Sequence, residues 1–256
     1  MTDTDRARRT AEADQLCVTS YDACGGPDVG VALVAVGGYG RSELAPHSDL
    51  DVVLVSDEGV ELGDLAERVW YPLWDSGTKL DHSVRTMPEM LEQADSDLKV
   101  ALGLLDLRHM AGDPNLTLRL RTTMLAHWRR RARERLPELH QMVRSRHDLI
   151  GELAHLSVPD LKEAEGGLRD ATVLKALVAT WLVDVPHVDL ERCRLALLDV
   201  RGVSVAFAND EASVRATSPS LRGQDWEQRW RRNDDRSGRR ETMERQTIQA
   251  GHEYQH

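Results

Sequence analysis

The sequence contains few aromatic residues and little cysteine or lysine. Aromatic residues make up 4% of the 256 residues, and Phe207 is the only phenylalanine. The three cysteines, Cys17, Cys24 and Cys193, do not have the spacing of a metal site, and their odd number argues against a disulfide framework. A reducing compartment is the simplest explanation of this cysteine usage, so we expect a cytoplasmic location.

Long apolar runs and a surplus of basic residues are also missing. No apolar run approaches the ~20 residues needed to cross a bilayer, and the first residues lack the apolar core of a signal peptide. We therefore expect no membrane partner. The 43 acidic residues outnumber 33 basic ones, which gives a formal net charge of −10. We also expect no nucleic-acid partner, because nonspecific nucleic-acid binding depends on basic patches that neutralise phosphates.

The most informative segment is 37–51, GGYGRSELAPHSDLD, which joins two apolar runs of strand length. Asp49 and Asp51 lead into the second run. Side chains alternate faces along a strand, so these two carboxylates are predicted to share one face. Mg²⁺ typically binds through one or two carboxylates plus substrate phosphates. Two such ions can clamp the attacking and leaving oxygens of an in-line displacement. The segment therefore predicts a site for metal ions and a nucleoside triphosphate.

The glycine pair at the start of this segment is predicted to lie against the phosphates. Gly37 and Gly38 carry no Cβ, which lets a ligand come close to the backbone. Residues 41–44 are predicted to open a helix that faces the anion, with Arg41 or Ser42 assisting. Alone, a DxD pair is usually a solvated strand entry and a GG pair a turn. Their combination between two apolar runs favours the nucleotide site.

The order of GG, a short spacer and DxD resembles the signature of nucleotidyltransferases of the DNA polymerase β type. The longer segment 37–55 is similar to bacterial PII uridylyltransferase/uridylyl-removing enzymes, which modify the PII signalling protein. The resemblance extends from residue 29 to residue 201. Three further segments carry it: 80–86 (LDHSVRT), 105–113 (LDLRHMAGD) and 159–170 (PDLKEAEGGLRD).

The resemblance implies an α/β fold with two parts. A polymerase β-like nucleotidyltransferase core, with a small mixed sheet and helices, would be followed by an α-helical domain. We expect an N-terminal helix and linker at 1–28, the catalytic core at 29–95 and the helical domain, incomplete relative to the family, at 96–201. The remaining residues, 202–256, are rich in arginine and poor in aliphatic residues, so we expect a disordered tail. An out-of-frame translation would explain this change of composition.

The implied activity is the metal-dependent transfer of UMP, or alternatively AMP, from UTP or ATP to a tyrosine of PII, with release of pyrophosphate. Asp49 and Asp51 would hold two Mg²⁺ ions, with Mn²⁺ as the alternative ion. Asp81 would be either a third catalytic ligand or a surface carboxylate, because not every member of the family carries an acid there. Lys162 and Arg169 are predicted to face the nucleotide.

Two alternatives to this activity stay open. The chain is either a nucleotidyltransferase acting on another acceptor, or a truncated, inactive fragment that binds PII or nucleotide without turnover. The segment 159–170 argues against a different acceptor. The dipeptide His147-Asp148 is shared with metal-dependent phosphohydrolases of the HD type. We do not expect a metal site there, because further ligands of that kind are missing.

Apolar periodicity predicts how these segments are distributed over helices and strands. After Pro88 no strand is predicted, and Pro137 is predicted to kink or divide the longest helix. Strands are predicted at 31–36, 52–55 and 80–86, and helices at 4–22, 62–74, 88–94, 98–111, 116–150, 168–183 and 190–200.

Overall fold

The core of the fold is a mixed sheet, seen in a computed structural model that describes residues 3–156 and 159–217. The chain divides into two compact units, Met1–Ala206 and Phe207–His256. In chain order the elements are α1 (Asp3–Ala23), β1 (Val31–Ala35), α2 (Gly37–Gly40), β2 (Leu50–Ser56), α3 (Leu65–Asp75), β3 (Leu80–Thr86), α4 (Met87–Ser96), α5 (Leu98–Leu104), β4 (Arg108–Gly112), α6 (Pro114–Ile150), a 3₁₀ turn (Leu153–His155), α7 (Leu168–Ala179) and α8 (His187–Thr217).

The strand order across the sheet is β3-β2-β1-β4. β1 pairs antiparallel with both β2 and β4, whereas β2 pairs parallel with β3. All five residues of β1 are buried. A central strand covered on both faces needs apolar side chains on both, which explains why VALVA is a continuous apolar run.

Helices cover both faces of the sheet. On one face, α1 and α3 pack against residues that include Leu33, Leu50 and Val52. On the opposite face, the helices α4 to α7 pack against Val53 and Val55. Because side chains alternate along β2, Asp51 lies on the side of the sheet that carries α4 to α7.

The predicted fold class, an α/β core with helices followed by a helical part, is confirmed. The predicted strands at 31–36 and 52–55 correspond to β1 and β2, and β3 has the predicted bounds. The predicted helix at 62–74 is α3.

The prediction of a single helix over 98–111 was wrong, as was the expectation of no strand after Pro88. α5 ends at Leu104, and β4 then joins the edge of the sheet beside β1. Two contacts outside the segment favour this strand. Arg108 forms a salt bridge of 2.8 Å with Asp14 of α1. Gly112 has a φ of +79° and approaches the carbonyl oxygen of Val31 so closely that a Cβ would overlap it. The sheet therefore continues into the segment predicted to be the helical domain.

The longest helix is not divided at Pro137. α6 is one helix of 37 residues that contains this proline. A proline inside a helix removes one backbone hydrogen bond, but the side chains on either side of it are held elsewhere. Arg135 is 6% exposed and donates to the carbonyl of Ala94, and Leu139 is buried in the core. These tertiary contacts keep the helix continuous.

The last described helix is longer than predicted. α8 runs from His187 to Thr217, so 202–217, assigned to a disordered tail, is helical. The expectation for 218–256 lies outside the described residues. α7 ends at Ala179, four residues before its predicted end. No helix within 3–156 and 159–217 is long and apolar enough to cross a membrane.

Gly40, at the end of α2, is the glycine with the least room for a side chain in this part of the fold. A Cβ added there would overlap the carbonyl oxygen of Asp106 and lie 3.0 Å from that of Ala35. We therefore expect Gly40→Ala to lower the free energy of unfolding by about 2 kcal/mol or more, measured by urea denaturation. Gly103→Ala is the control, because no atom lies within 4 Å of its added Cβ. Its helical position should make it neutral or stabilising by about 0.5–1 kcal/mol. Equal effects of the two substitutions would contradict the packing described for α2.

Candidate active site

Three carboxylates meet at the start of β2 and β3. Asp51 of β2 lies directly opposite Asp81 of β3 in the parallel pairing, and Asp49 precedes β2. Asp49 and Asp81 are exposed, whereas Asp51 is half-buried. Burial, followed by the charges of Asp81 and Asp49, raises the pKa of Asp51 from 3.8 to about 6. The three predicted carboxylates therefore interact through their charges.

Lys162 and Arg169 bring positive charge close to Asp51. Both residues act to lower the pKa of Asp51, against burial and the other carboxylates. They lie more than a hundred residues away in sequence, in the loop before α7 and in its first turn. The fold thus brings the predicted cations to the predicted carboxylates.

The turn formed by Gly37 and Gly38, here called the glycine turn, contacts Asp51. The backbone N–H of Val36 donates to the carbonyl of Asp51 at 3.0 Å. Gly37 then has a φ of +58°, and a Cβ added there would lie 3.3 Å from a carboxylate oxygen of Asp51. A residue with a side chain would therefore be strained at position 37 and would crowd the carboxylate.

The helix predicted at 41–44 was wrong, because the helical turn is α2 at Gly37–Gly40. Tyr39 accounts for this placement. Its ring is 1% exposed, and its hydroxyl lies 3.6 Å from the sulfur of Cys17 in α1. With Tyr39 buried between them, the glycines form the helical turn, and residues 41–44 lie outside it.

Arg41 is held by two carboxylates. Its Nε donates to Glu43 at 2.8 Å, and its Nη1 donates to Asp106. Ser42 is exposed with a φ of +61°, and its N–H donates to the carbonyl of Tyr39 at 3.0 Å. Contact of Arg41 or Ser42 with phosphates remains a prediction. What the structure adds is that Arg41 ties the glycine turn to Glu43 and Asp106.

The loop that carries the cations is ordered by its own acidic residues. The carboxylate of Asp160 accepts from the backbone N–H of Lys162 at 3.0 Å and of Glu163 at 2.9 Å. Glu163 in turn pairs with Arg169, whose Nη2 lies 3.2 Å from it. The backbone N–H of Arg169 donates to the carbonyl of Lys162 at 3.0 Å. Lys162 and Arg169 are therefore held side by side.

A second set of contacts fixes this loop to the end of α6. Arg146 donates to the carbonyl of Glu163 at 3.2 Å and also pairs with Asp170. Asp170 accepts from the N–H of Gly166 at 2.7 Å and lies 3.0 Å from Nε2 of His147. Burial raises the pKa of Asp170, but the N–H of Gly166, His147 and Arg146 together lower it. Asp170 therefore links the loop before α7 to the end of α6.

Most of these supporting contacts join residues that are far apart in the sequence. Arg146 and Asp170 are separated by 24 residues, and no local period links them. Asp106, which also holds Arg41, lies 65 residues from it in sequence. The one local signal was the dipeptide His147-Asp148, and the structure shows that His147 contacts Asp170.

The three carboxylates suit a hard divalent cation that is also coordinated by a bound nucleotide. Within the described ranges, no group of three or more His, Cys, Asp or Glu side chains is arranged to hold a metal ion on its own. The carboxylates supply oxygen ligands, and their mutual repulsion at Asp51 would be relieved by a cation. Mg²⁺ usually completes its coordination with substrate phosphates and water. The residues present therefore fit such an ion bound together with a nucleotide.

This arrangement of a mixed sheet, glycine turn and paired carboxylates is that of a nucleotidyltransferase. Residues 25–101 match the family described as "Nucleotidyltransferase domain". The matched range includes β1, β2, β3, the glycine turn and all three carboxylates. This part of the chain is a nucleotidyltransferase domain, an enzyme class that uses nucleoside triphosphates and generally divalent metal ions.

Several curated bifunctional uridylyltransferase/uridylyl-removing enzymes are similar to this chain. The protein from Streptomyces coelicolor is 56% identical over 174 residues, which is 67% of this chain and 21% of the relative. The protein from Mycobacterium tuberculosis (strain H37Rv) is 46% identical over 182 residues, covering 67% and 22%. That from Corynebacterium glutamicum is 38% identical over 172 residues, covering 67% and 24%. The matched part of the chain spans about a fifth of the length of these relatives.

The raised pKa of Asp51 predicts a stabilising substitution. Its folded pKa of about 6 exceeds 3.8, so the folded protein binds this proton more tightly and stability falls as pH rises through that window. In EDTA near pH 7.5, Asp51→Asn should therefore raise the free energy of unfolding. A shift of about two units corresponds to about 3 kcal/mol, which solvent screening at a partly exposed group reduces to about 1 kcal/mol.

The measurement is urea unfolding at about pH 7.5 and about pH 4.5, where the gain should shrink because Asp51 is then largely protonated. Asp184→Asn is the matched control, since Asp184 is exposed and has no ion pair within the described residues. A destabilised Asp51→Asn protein at neutral pH would show that the carboxylates do not repel one another.

Proposed function

We propose that this chain transfers a nucleotidyl group, UMP or alternatively AMP, from UTP or ATP to a tyrosine of the PII signalling protein and releases pyrophosphate. The observation that carries the proposal is the pairing of Asp51 with Asp81 beside the glycine turn. Similarity to bifunctional uridylyltransferase/uridylyl-removing enzymes supports UMP as the transferred group. A cytoplasmic location remains a prediction.

In this proposal Asp49 and Asp51 hold divalent cations, with Asp81 as the third carboxylate. Mg²⁺ bound there would lower the pKa of the attacking tyrosine hydroxyl and neutralise charge on the departing pyrophosphate. Mn²⁺ would be the alternative ion. Gly37 and Gly38 leave room for the phosphates, because neither carries a Cβ.

The loop before α7 supplies the remaining charge. Lys162 and Arg169 act electrostatically on Asp51 and would bind the triphosphate beside it. Arg169 can grip a phosphate with two N–H groups, whereas Lys162 acts as a point charge. Most of the rate enhancement would come from positioning and neutralisation of charge, as in other phosphoryl-type transfers.

We expect Asp49→Asn and Asp51→Asn each to lower nucleotidyl transfer by about a thousandfold or more, because each removes a carboxylate that would hold the divalent cations, and those cations offset the charge of the reacting phosphates. The assay contains the purified chain, PII, Mg²⁺ and α-labelled UTP or ATP in parallel. Label on PII would identify the acceptor and the nucleotide together. Asp184→Asn should retain full activity, and circular dichroism should show all three variants folded.

Transfer that survives both substitutions would overturn the mechanism. Absence of label with the folded wild-type chain would favour a protein that binds PII or nucleotide without turnover, or one that modifies another acceptor. Asp81→Asn settles whether Asp81 is a ligand: a loss comparable to that of Asp49→Asn makes it one, and unchanged activity makes it a surface carboxylate.

A further expectation concerns Arg169. Arg169→Gln should raise the KM for the nucleotide by about tenfold, because a charge-assisted hydrogen bond to phosphate is worth about 1.5–3 kcal/mol. The matched control is Arg133→Gln, which removes the same charge from an exposed position in α6. Steady-state kinetics over a range of UTP or ATP concentrations tests this. Equal KM values for the two variants would remove Arg169 from the nucleotide site.

A further inference from the structure

A small pocket outside the candidate active site is lined by several arginines. It lies between α1, the segment that follows α2, and α8, and is an open hollow of about 270 Å³, a volume that includes space open to solvent. Arg6, Arg9 and Arg201 line it together with Glu43. None of the predicted site residues contributes to its wall.

Glu43, which lines this pocket, and Asp199, which pairs with its lining residue Arg6, are already engaged in ion pairs. Glu43 is bound by Arg41 at 2.8 Å and also by Arg194 from α8. Its side chain is 9% exposed, so two guanidinium groups share one buried carboxylate. Asp199 accepts from Arg6 at 3.0 Å. The negative charge near the pocket is therefore used in holding α1, α8 and the segment after α2 together.

Two of the arginines keep most of their donors available. Arg9 uses its Nε on the carbonyl of Leu44 at 3.2 Å, and this is its one hydrogen bond within the described part of the chain. Arg201 forms no hydrogen bond or ion pair with any described residue; it interacts only through charge with Asp160, Glu163 and Arg169.

Both arginines are also held where a positive charge is disfavoured. Burial is the largest cause that lowers the pKa of Arg9, and the charges of Arg8 and Arg6 add to it, despite Asp5 and Glu12. Burial likewise lowers the pKa of Arg201, and the charge of Arg169 acts in the same direction. An anion in the pocket would relieve both effects, because it would add negative charge beside the two guanidinium groups.

We propose that this pocket is a second binding site, specific for a phosphate group, with Arg9 and Arg201 as its principal ligands. The planar guanidinium presents paired N–H donors that match the oxygens of a phosphate. Arg6 adds charge from α1 while it stays paired with Asp199. The bound part would be a phosphate group, which free phosphate or a phosphorylated metabolite could supply.

The pocket is connected to the candidate active site through Glu43. Glu43 contacts the pocket on one side and Arg41 on the other, and Arg41 follows the glycine turn directly. Arg201 is also within electrostatic reach of Arg169. The phosphate site is nevertheless distinct from the predicted nucleotide site, because it shares none of the three carboxylates.

The test is isothermal titration of the full chain with inorganic phosphate, and separately with UMP, in EDTA at constant ionic strength. Without a divalent cation, the three carboxylates of the candidate active site repel phosphate and UMP, which disfavours binding there. We expect saturable binding of phosphate that weakens at least tenfold in Arg9→Gln and in Arg201→Gln. Arg121→Gln removes the same charge from the exposed surface of α6 and should bind as the wild type does. The tighter of the two probes identifies the source of the phosphate group.

Asp51→Asn separates this site from the proposed transfer reaction, since it should lose transfer but keep phosphate binding. Arg201 has no ion pair to lose within the described residues, so Arg201→Gln should fold. Arg9→Lys provides a second variant, because it keeps the positive charge but not the paired N–H donors of arginine. No saturable binding of either probe, or equal affinity in Arg201→Gln and Arg121→Gln, would overturn the proposal. Tighter phosphate binding in Asp51→Asn would assign the bound phosphate to the nucleotide site instead, because this substitution removes a repelling carboxylate there.

Discussion

The antiparallel pairing of β1 with β2 determines where the candidate catalytic groups lie. Leu33 opposes Leu54 in this pairing, and the N–H of Val36 reaches the carbonyl of Asp51 at 3.0 Å. A slip by one residue would turn every side chain of β2 to the other face and place Asp51 in the apolar layer beneath α1 and α3. The same pairing delivers Gly37 to the carboxylate as β1 ends. The register of β1 against β2 therefore sets the positions of both the glycine turn and the Asp51 carboxylate.

Charge at the site is balanced between distant parts of the chain. The strands bring three carboxylates together, and burial with mutual repulsion makes Asp51 hard to ionise. The loop before α7 returns positive charge through Lys162 and Arg169. Proteins often accept such unfavourable local electrostatics at functional sites and compensate through packing elsewhere. Here the compensation comes from the two apolar layers on either side of the sheet.

Local sequence patterns were sufficient to predict the first three strands. They were insufficient to predict the edge strand β4 and the continuity of α6. β1, β2 and β3 follow from apolar runs bounded by glycine and aspartate, and the order of GG and DxD predicted which residues meet. β4 contains Arg108 and His109, and it becomes a strand because β1 offers an unpaired edge and α1 offers Asp14. α6 passes through Pro137 because Arg135 and Leu139 are held by other helices. Such contacts join residues that no sequence window contains.

The length of α6 has a consequence for how this protein can vary. Its 37 residues correspond to about 55 Å at 1.5 Å per residue. One end is packed in the core through Leu116 and Leu120, and the other end holds the cationic loop through Arg146. Inserting or deleting one residue between them would rotate Arg146 by about 100° about the helix axis. The exposed face of α6 can therefore change freely in composition, whereas single-residue insertions and deletions should be rare along it.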